Sequence, residues 1–302
     1  MRSTFTGVGT ALITPFTSSG ELDERTLRAL ARRQVDAGVH FLVPCGTTGE
    51  TPTLNERERR RVVEIVVEEA RGRALVLAGA GGYDTRDVKH AAQEMHKAGA
   101  QGLLSVTPYY NKPTPEGLYQ HFKAIAESTP LPVIVYNVPG RTGCNVEAAT
   151  LARLATIPNI AGVKEASGNI TQMAEVCRAV PPDFLVLSGD DAITLPLMAI
   201  GGRGIVSVAS NEVPAEMVQM VEAAERGDFA TARRWHEKLM PVMQVNFVES
   251  NPGPVKFAMA AMGLCELSYR LPMVPPRPAA QEKILGVLKD FGLPVVAVQH
   301  HS

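Results

Sequence analysis

Short, nearly unbroken apolar runs alternate along the chain with longer stretches in which apolar and charged positions recur at helical spacing. The runs are Val8–Phe16, Phe41–Gly46, Ala74–Gly81, Gly102–Tyr110, Pro132–Pro139, Ile160–Ala166, Phe184–Asp191 and Gly204–Ser210. Each is short and rich in β-branched residues, as a strand covered on both faces should be. Between them, Leu22–Ala37 sets Leu27, Leu30 and Val35 against Arg25, Arg28, Arg32 and Arg33. Asn55–Arg71 places a polar N-cap and early Glu residues ahead of Val62, Val63, Ile65 and Val66. Thr85–Ala98 and Pro115–Ser128 follow the same design, with Pro115 suited to a first helical turn. Gly38 and Gly99 stand as C-caps, and a strand follows each.

Eight strands, each followed by a helical segment, predict a parallel sheet, because parallel neighbours need long crossovers. Right-handed crossovers and the eightfold repeat favour closure into a (β/α)8 TIM barrel, with a doubly wound open sheet as the rival. After Ala224 the alternation stops. Asp228–Phe247, Pro254–Gly263 and Ala279–Phe291 read as helices without strands between them. The expected organisation is therefore a catalytic barrel over residues 1–225 and a helical C-terminal appendage over residues 226–302, packed on the barrel.

Composition narrows the function. Thirty Lys and Arg against 31 Asp and Glu leave a net charge of −1, with no basic excess to hold a nucleic acid or an anionic membrane. Apolar residues at 45% and charged residues at 20% suit a soluble globular protein. No apolar run reaches the roughly 18 residues of a bilayer span, and the N-terminus lacks the apolar stretch of a signal peptide. Cys45, Cys144, Cys177 and Cys265 are scattered without a CxxC pair, so free thiols in a reducing cytoplasm are expected.

In a (β/α)8 barrel the reacting groups gather at the C-terminal ends of the strands, and that position sorts the polar residues. The second run ends in Cys45-Gly46-Thr47-Thr48-Gly49-Glu50 and the fourth in Thr107-Pro108-Tyr109-Tyr110-Asn111. The fifth ends in Tyr136-Asn137-Val138-Pro139-Gly140-Arg141, the sixth carries Lys164 and Glu165, and the seventh ends in Ser188-Gly189-Asp190-Asp191. Three of the six tyrosines therefore stand at strand ends.

Lys164 is the sharpest signal. A buried ammonium is costly unless it is paired or neutral, and a desolvated lysine amine is a usable Schiff-base nucleophile. Pairing with Glu165, or reach to solvent, would satisfy the same residue in an isolated VKEA. The surrounding hydroxyls shift the balance. Tyr136 and Tyr110, linked by the Thr47 hydroxyl, could relay protons to and from a carbinolamine. Thr47, Thr48 and the N–H groups of a Gly-rich turn can bind a carboxylate, and Arg141 offers a fork for another. Taken singly, each also fits a bland role: a tyrosine packed at the barrel mouth, an N-capping threonine, a surface arginine.

Other motifs carry less. Gly79-Ala-Gly-Gly82 lacks the full dinucleotide pattern, and Gly201-Gly-Arg-Gly204 precedes the eighth run on the stability face. His40, His90, His96, His121, His236, His300 and His301 form no H-x-H or H-E-x-x-H pair, which argues against a catalytic metal. His300 and His301 belong to an end that is either tag-derived or native. Asp190-Asp191 could bind a cation, but such a pair more often caps the next helix.

GTTGE, VTPYYN, YNVPGRTG, GVKEASGN, LSGDD and NPGPVK follow one another in register between about Gly7 and Pro276. In this order they resemble the dihydrodipicolinate synthase family of pyruvate-dependent Schiff-base aldolases, whose superfamily also holds N-acetylneuraminate lyase. The resemblance implies a lyase of lysine and diaminopimelate biosynthesis, in which Lys164 condenses with pyruvate and the enamine attacks L-aspartate 4-semialdehyde. It implies that Thr47, Tyr136 and Tyr110 relay protons, with Tyr110 reaching in from a neighbouring subunit. Thr48 would contact the pyruvate carboxylate, Arg141 would receive the carboxylate of the second substrate, and Gly189 and Val206 would shape the pocket near Lys164. It further implies no metal or organic cofactor, and a cytoplasmic homotetramer built as a dimer of dimers.

Arg141 within GRTG separates this reading from its alternative, an aldolase acting on N-acetylneuraminate or a 2-keto-3-deoxy sugar acid. The intact set of Lys164, Tyr136, Thr47 and Tyr110 speaks against a non-catalytic keto-acid-binding barrel. Lysine-inhibited members carry polar residues and a His after GTTGE, where this chain has Thr51, Pro52 and Glu56. Tyr83 also replaces a small amide residue, so feedback inhibition by lysine is not implied.

Overall fold

The eight apolar runs pair edge to edge, in chain order, into a closed parallel barrel in the computed structural model, which describes residues 4–296. The strands are β1 (Gly7–Ala11), β2 (Phe41–Val43), β3 (Leu75–Gly79), β4 (Gly102–Val106), β5 (Val133–Asn137), β6 (Ile160–Glu165), β7 (Leu185–Ser188) and β8 (Gly204–Ser207). β1 pairs with both β2 and β8, which closes the circle and excludes the open-sheet rival. All eight strands stop short of the C-terminal end of their apolar run. The residues left over form the loops at the mouth.

The helices are α1 (Glu24–Asp36), α2 (Glu56–Ala70), α3 (Thr85–Lys97), α4 (Pro115–Glu127), α5 (Pro139–Thr142), α6 (Ala148–Leu154), α7 (Ile170–Ala179), α8 (Thr194–Ala199) and α9 (Pro214–Glu225). Their signals are local. Asn55 accepts a hydrogen bond from the Glu58 N–H while the Glu58 carboxylate accepts one from the Asn55 N–H, a reciprocal box that starts α2. Gly38 and Gly99, at φ of 85° and 93°, turn the chain out of α1 and α3.

Period-two alternation along the strands splits the core into two layers. Phe41, Leu77, Leu104, Ile134 and Leu185 fill the barrel interior. Leu42, Val76, Leu103, Val133 and Val186 face outward and pack with helical residues such as Leu27, Val63, Leu118 and Leu151. At roughly 1.5–3 kcal/mol for each fully buried large apolar side chain, these layers supply most of the favourable free energy of folding.

β6 departs from strict alternation. The β5–β6 register slips where Val133 opposes Ile160 and Ile134 opposes Gly162, which places an extra residue, Ala161, in β6. Ile160 and Val163, three apart, consequently both join the outer layer, and Lys164 turns inward. Gly162 is required there, because a Cβ would stand 2.4 Å from the Leu185 carbonyl oxygen.

Three more helices follow, α10 (Phe229–Val245), α11 (Gly253–Ala261) and α12 (Pro278–Phe291). Leu239, Val242 and Met243 of α10 belong to the same apolar cluster as Met217 and Val221 of α9. Val255 and Met259 of α11 pack on Ile13 and Val208 at the barrel mouth. Among the described residues no helix is long and apolar enough to cross a membrane. His300 and His301 lie outside the described residues.

Candidate active site

Lys164 lies on the inner wall of the barrel, in register with Tyr136 of β5, and is only 6% exposed. Its Nζ stands 4.1 Å from the centroid of the Tyr136 ring. Glu165 points the other way. Its carboxylate accepts from Asn137 Nδ2 at 3.0 Å and from the Ser167 N–H at 2.8 Å, so it does not neutralise Lys164. Among the described residues no carboxylate lies within ion-pair distance of Lys164. Gly189 leaves room for the lysine, since a Cβ there would meet Lys164 Cε at 3.1 Å and Ala166 Cβ at 2.6 Å.

Beyond β2 the chain folds into a tight loop, with the Gly49 N–H on the Gly46 carbonyl and the Glu50 N–H on the Thr47 carbonyl. Cys45 and Glu50 adopt left-handed φ values of 58° and 51°, a strained backbone that its surroundings must hold. The Glu50 carboxylate forms an ion pair with Lys256 of α11, and both side chains are almost wholly buried. Burial pushes the Cys45 thiol up to about 12. Thr48 is buried, and its Oγ1 accepts a hydrogen bond from Asn251 Nδ2 at 3.0 Å. The Asn251 carbonyl in turn accepts from Nη2 of Arg141, in the short α5 that follows β5, at 3.1 Å.

These groups converge. Thr47, Thr48, Tyr136, Arg141, Lys164, Gly189 and Val206 all line one cavity of about 130 Å³ at the C-terminal mouth of the barrel. A neighbouring cavity of about 150 Å³ shares Thr47, Tyr136 and Arg141 and extends past Gly79 to Tyr109. Gly79 is there for close packing, since its Cβ would fall 1.9 Å from the Cys45 carbonyl oxygen. Among the described residues the Tyr136 and Thr47 hydroxyls are not hydrogen-bonded to each other.

Tyr110 is the exception. It lines neither cavity, is 93% exposed and sits at a left-handed φ of 71°. Beside it Tyr83 and Tyr109 pack edge to face with centroids 5.3 Å apart, and Asn111 Nδ2 donates to the Tyr83 carbonyl. Within one chain, therefore, the relay of three hydroxyls is not assembled.

Asp190 caps the following turn through the Ala192 N–H at 2.9 Å, as a loop-end aspartate should, and it also lines the cavity. Asp191 is buried and holds the end of β8 through Ser207 Oγ and the N–H groups of Val208 and Ala209. Among the described residues no three His, Cys, Asp or Glu side chains are grouped as metal ligands would be. Sequence reasoning missed Asn251 and the Glu50–Lys256 pair as parts of the site. The NPGPVK motif marked the region, but no local pattern shows that it folds back some 200 residues onto Thr48 and Glu50.

The dihydrodipicolinate synthetase family profile matches residues 4–290. A relative from Koribacter versatilis, named 4-hydroxy-tetrahydrodipicolinate synthase, is 52% identical over 288 residues, covering 95% of this chain and 96% of its own. One of the same name from Nitratidesulfovibrio vulgaris is 51% identical over 290 residues, covering 96% and 99%. The crystal structure of dihydrodipicolinate synthase from Aquifex aeolicus, 42% identical, matches with a TM-score of 0.95 over 97% of this chain and 100% of that one. A dihydrodipicolinate synthase variant characterised as monomeric, 45% identical, matches with a TM-score of 0.94 over 97% and 98%. By sequence along nearly its whole length, and by a barrel that carries the same C-terminal helices, the chain belongs to the dihydrodipicolinate synthetase family.

Proposed function

We infer that the chain has the activity for which these relatives are named, joining pyruvate to L-aspartate 4-semialdehyde to give 4-hydroxy-tetrahydrodipicolinate. The observation that carries this reading is Lys164, a buried amine without a carboxylate partner among the described residues, in one cavity with Thr48 and Arg141. Lys164 Nζ attacks C2 of pyruvate, and the carbinolamine loses its oxygen as water to leave an imine. Loss of a proton from C3 gives an enamine, whose C3 forms the new bond to the aldehyde carbon while the aldehyde oxygen takes a proton. The ammonium of the second substrate then gives up a proton, and the resulting amine displaces Nζ at C2, which closes the ring and frees the lysine. One water is released overall, and the steps as written need no metal or organic cofactor.

Tyr136 and Thr47 supply hydroxyls for these proton transfers. Thr48 and the loop N–H groups take the pyruvate carboxylate, and Arg141 takes that of the semialdehyde. Gly189 and Val206 keep the space around Nζ open. Tyr110 completes the relay from a second copy of the chain, within a cytoplasmic homotetramer arranged as a dimer of dimers. In support, it is an exposed aromatic held in a strained conformation beside two further tyrosines, a combination that suits an interface.

Borohydride reduction in the presence of pyruvate, followed by peptide mass mapping, is expected to place the adduct on Lys164. Turnover should be found with L-aspartate 4-semialdehyde and not with N-acetylneuraminate. An adduct elsewhere, or none, would overturn the Schiff-base assignment.

A further inference from the structure

The semialdehyde differs from a plain aldehyde acid by one α-ammonium group, and none of the residues assigned above receives it. Arg141 faces the cavity, so an entering ammonium meets the like charge of its guanidinium there. Two oxygens on the opposing side of that balance stand out.

The first is Oδ1 of Asn251. This residue lines the cavity and is 6% exposed, its Nδ2 is committed to Thr48, and its Oδ1 is buried without a hydrogen-bond partner among the described residues. A buried amide oxygen without a donor is costly, so a ligand donor that satisfies it is bound more tightly for doing so. The same residue's carbonyl anchors Arg141 Nη2. In an α-amino acid the ammonium and carboxylate share one carbon, so a substrate whose carboxylate is on Arg141 presents its ammonium beside that anchor.

The second is Asp190, the one carboxylate among the residues lining this cavity. Its Oδ1 is fixed on the Ala192 N–H, and its carbonyl accepts from Ser188 Oγ and Thr194 Oγ1, which holds the side chain at the rim.

We propose that Asn251 Oδ1 and the Asp190 carboxylate form an ammonium-binding pole, through which the site selects an α-amino aldehyde acid over the same acid without its amine. The assignment rests on the roles given above to Lys164 and Arg141.

The probe is succinate semialdehyde, which lacks only the amine, used as a competing ligand of the pyruvate-loaded enzyme. Asp190→Asn keeps an acceptor for the Ala192 N–H and removes the charge. It is expected to raise KM for L-aspartate 4-semialdehyde about tenfold or more while leaving the inhibition constant of succinate semialdehyde within about twofold. Asn251→Ala also strips Thr48 of its donor, so its readout is the ratio between the two aldehydes, which should fall by a similar factor. Borohydride trapping of pyruvate checks that each variant keeps its cavity. Equal weakening toward both aldehydes, or an unchanged KM for the amino aldehyde in both variants, overturns the pole and leaves the Schiff-base reading intact. Failure of the unsubstituted enzyme to condense the amino aldehyde with pyruvate would overturn both.

Discussion

A guanidinium and an amine share the cavity, and the proposed mechanism gives them separable tasks. In it Lys164 bonds to pyruvate before the semialdehyde is needed, whereas Arg141 would meet only the second substrate. Arg141→Ala should therefore retain borohydride trapping of pyruvate on Lys164. It should lower kcat/KM for the semialdehyde roughly a hundredfold, the worth of one charge-assisted, forked contact. Equal loss of trapping and turnover would assign Arg141 a different role. Lys164, Tyr136, Thr47, Thr48 and Arg141 were legible in the sequence because each lies on a strand or just after one, where polar residues interrupt an apolar run. Asn251 was not legible. It reaches Thr48 from a segment that reads as part of a helical appendage, and only tertiary folding brings its orphaned oxygen to the cavity.

Elements that read correctly from periodicity still conceal what aims them. The extra residue in β6 leaves its apolar pattern intact, so no count of positions along Ile160–Glu165 reveals that it turns Lys164 inward. The Glu50–Lys256 pair acts at the same scale, tying the loop after β2 to α11 across the mouth. Both groups are buried, so removing one leaves the other as an uncompensated charge. Lys256→Met should destabilise the fold by about 3–5 kcal/mol, and the double variant Glu50→Gln with Lys256→Met should recover much of that loss. Urea denaturation of the two variants measures the difference. A double variant no more stable than the single one would mean that the pair holds the loop by geometry and not by charge balance.

Across the whole molecule, two buried carboxyls behind the site make stability depend on pH. Glu212, between β8 and α9, accepts a hydrogen bond from Asn246 of the C-terminal region. Burial is the main cause that pushes its carboxyl up from the ordinary 4.5 to about 8, with Asp191 adding like-charge repulsion and Arg33 opposing it. Burial likewise pushes Asp191 up from 3.8 to about 6, against the bonds from Ser207, Val208 and Ala209. The folded chain thus keeps these protons to a higher pH than the unfolded chain does. Below about pH 4 both states are protonated and the fold has its full stability from this source. As pH rises the unfolded chain releases the protons first, so stability falls until the folded carboxyls also ionise near pH 6 and pH 8. Glu212→Gln keeps an acceptor for Asn246 and cannot ionise, so its larger share of this dependence should vanish. The melting temperature of the variant, relative to the unsubstituted chain, is expected to climb steadily from about pH 5 to about pH 9, by an amount set by a shift of several pKa units at about 1.4 kcal/mol each and reduced by relaxation of the site. A difference that stays constant over that range would mean that Glu212 ionises at an ordinary pKa, and that the junction of barrel and C-terminal helices carries a charge at neutral pH.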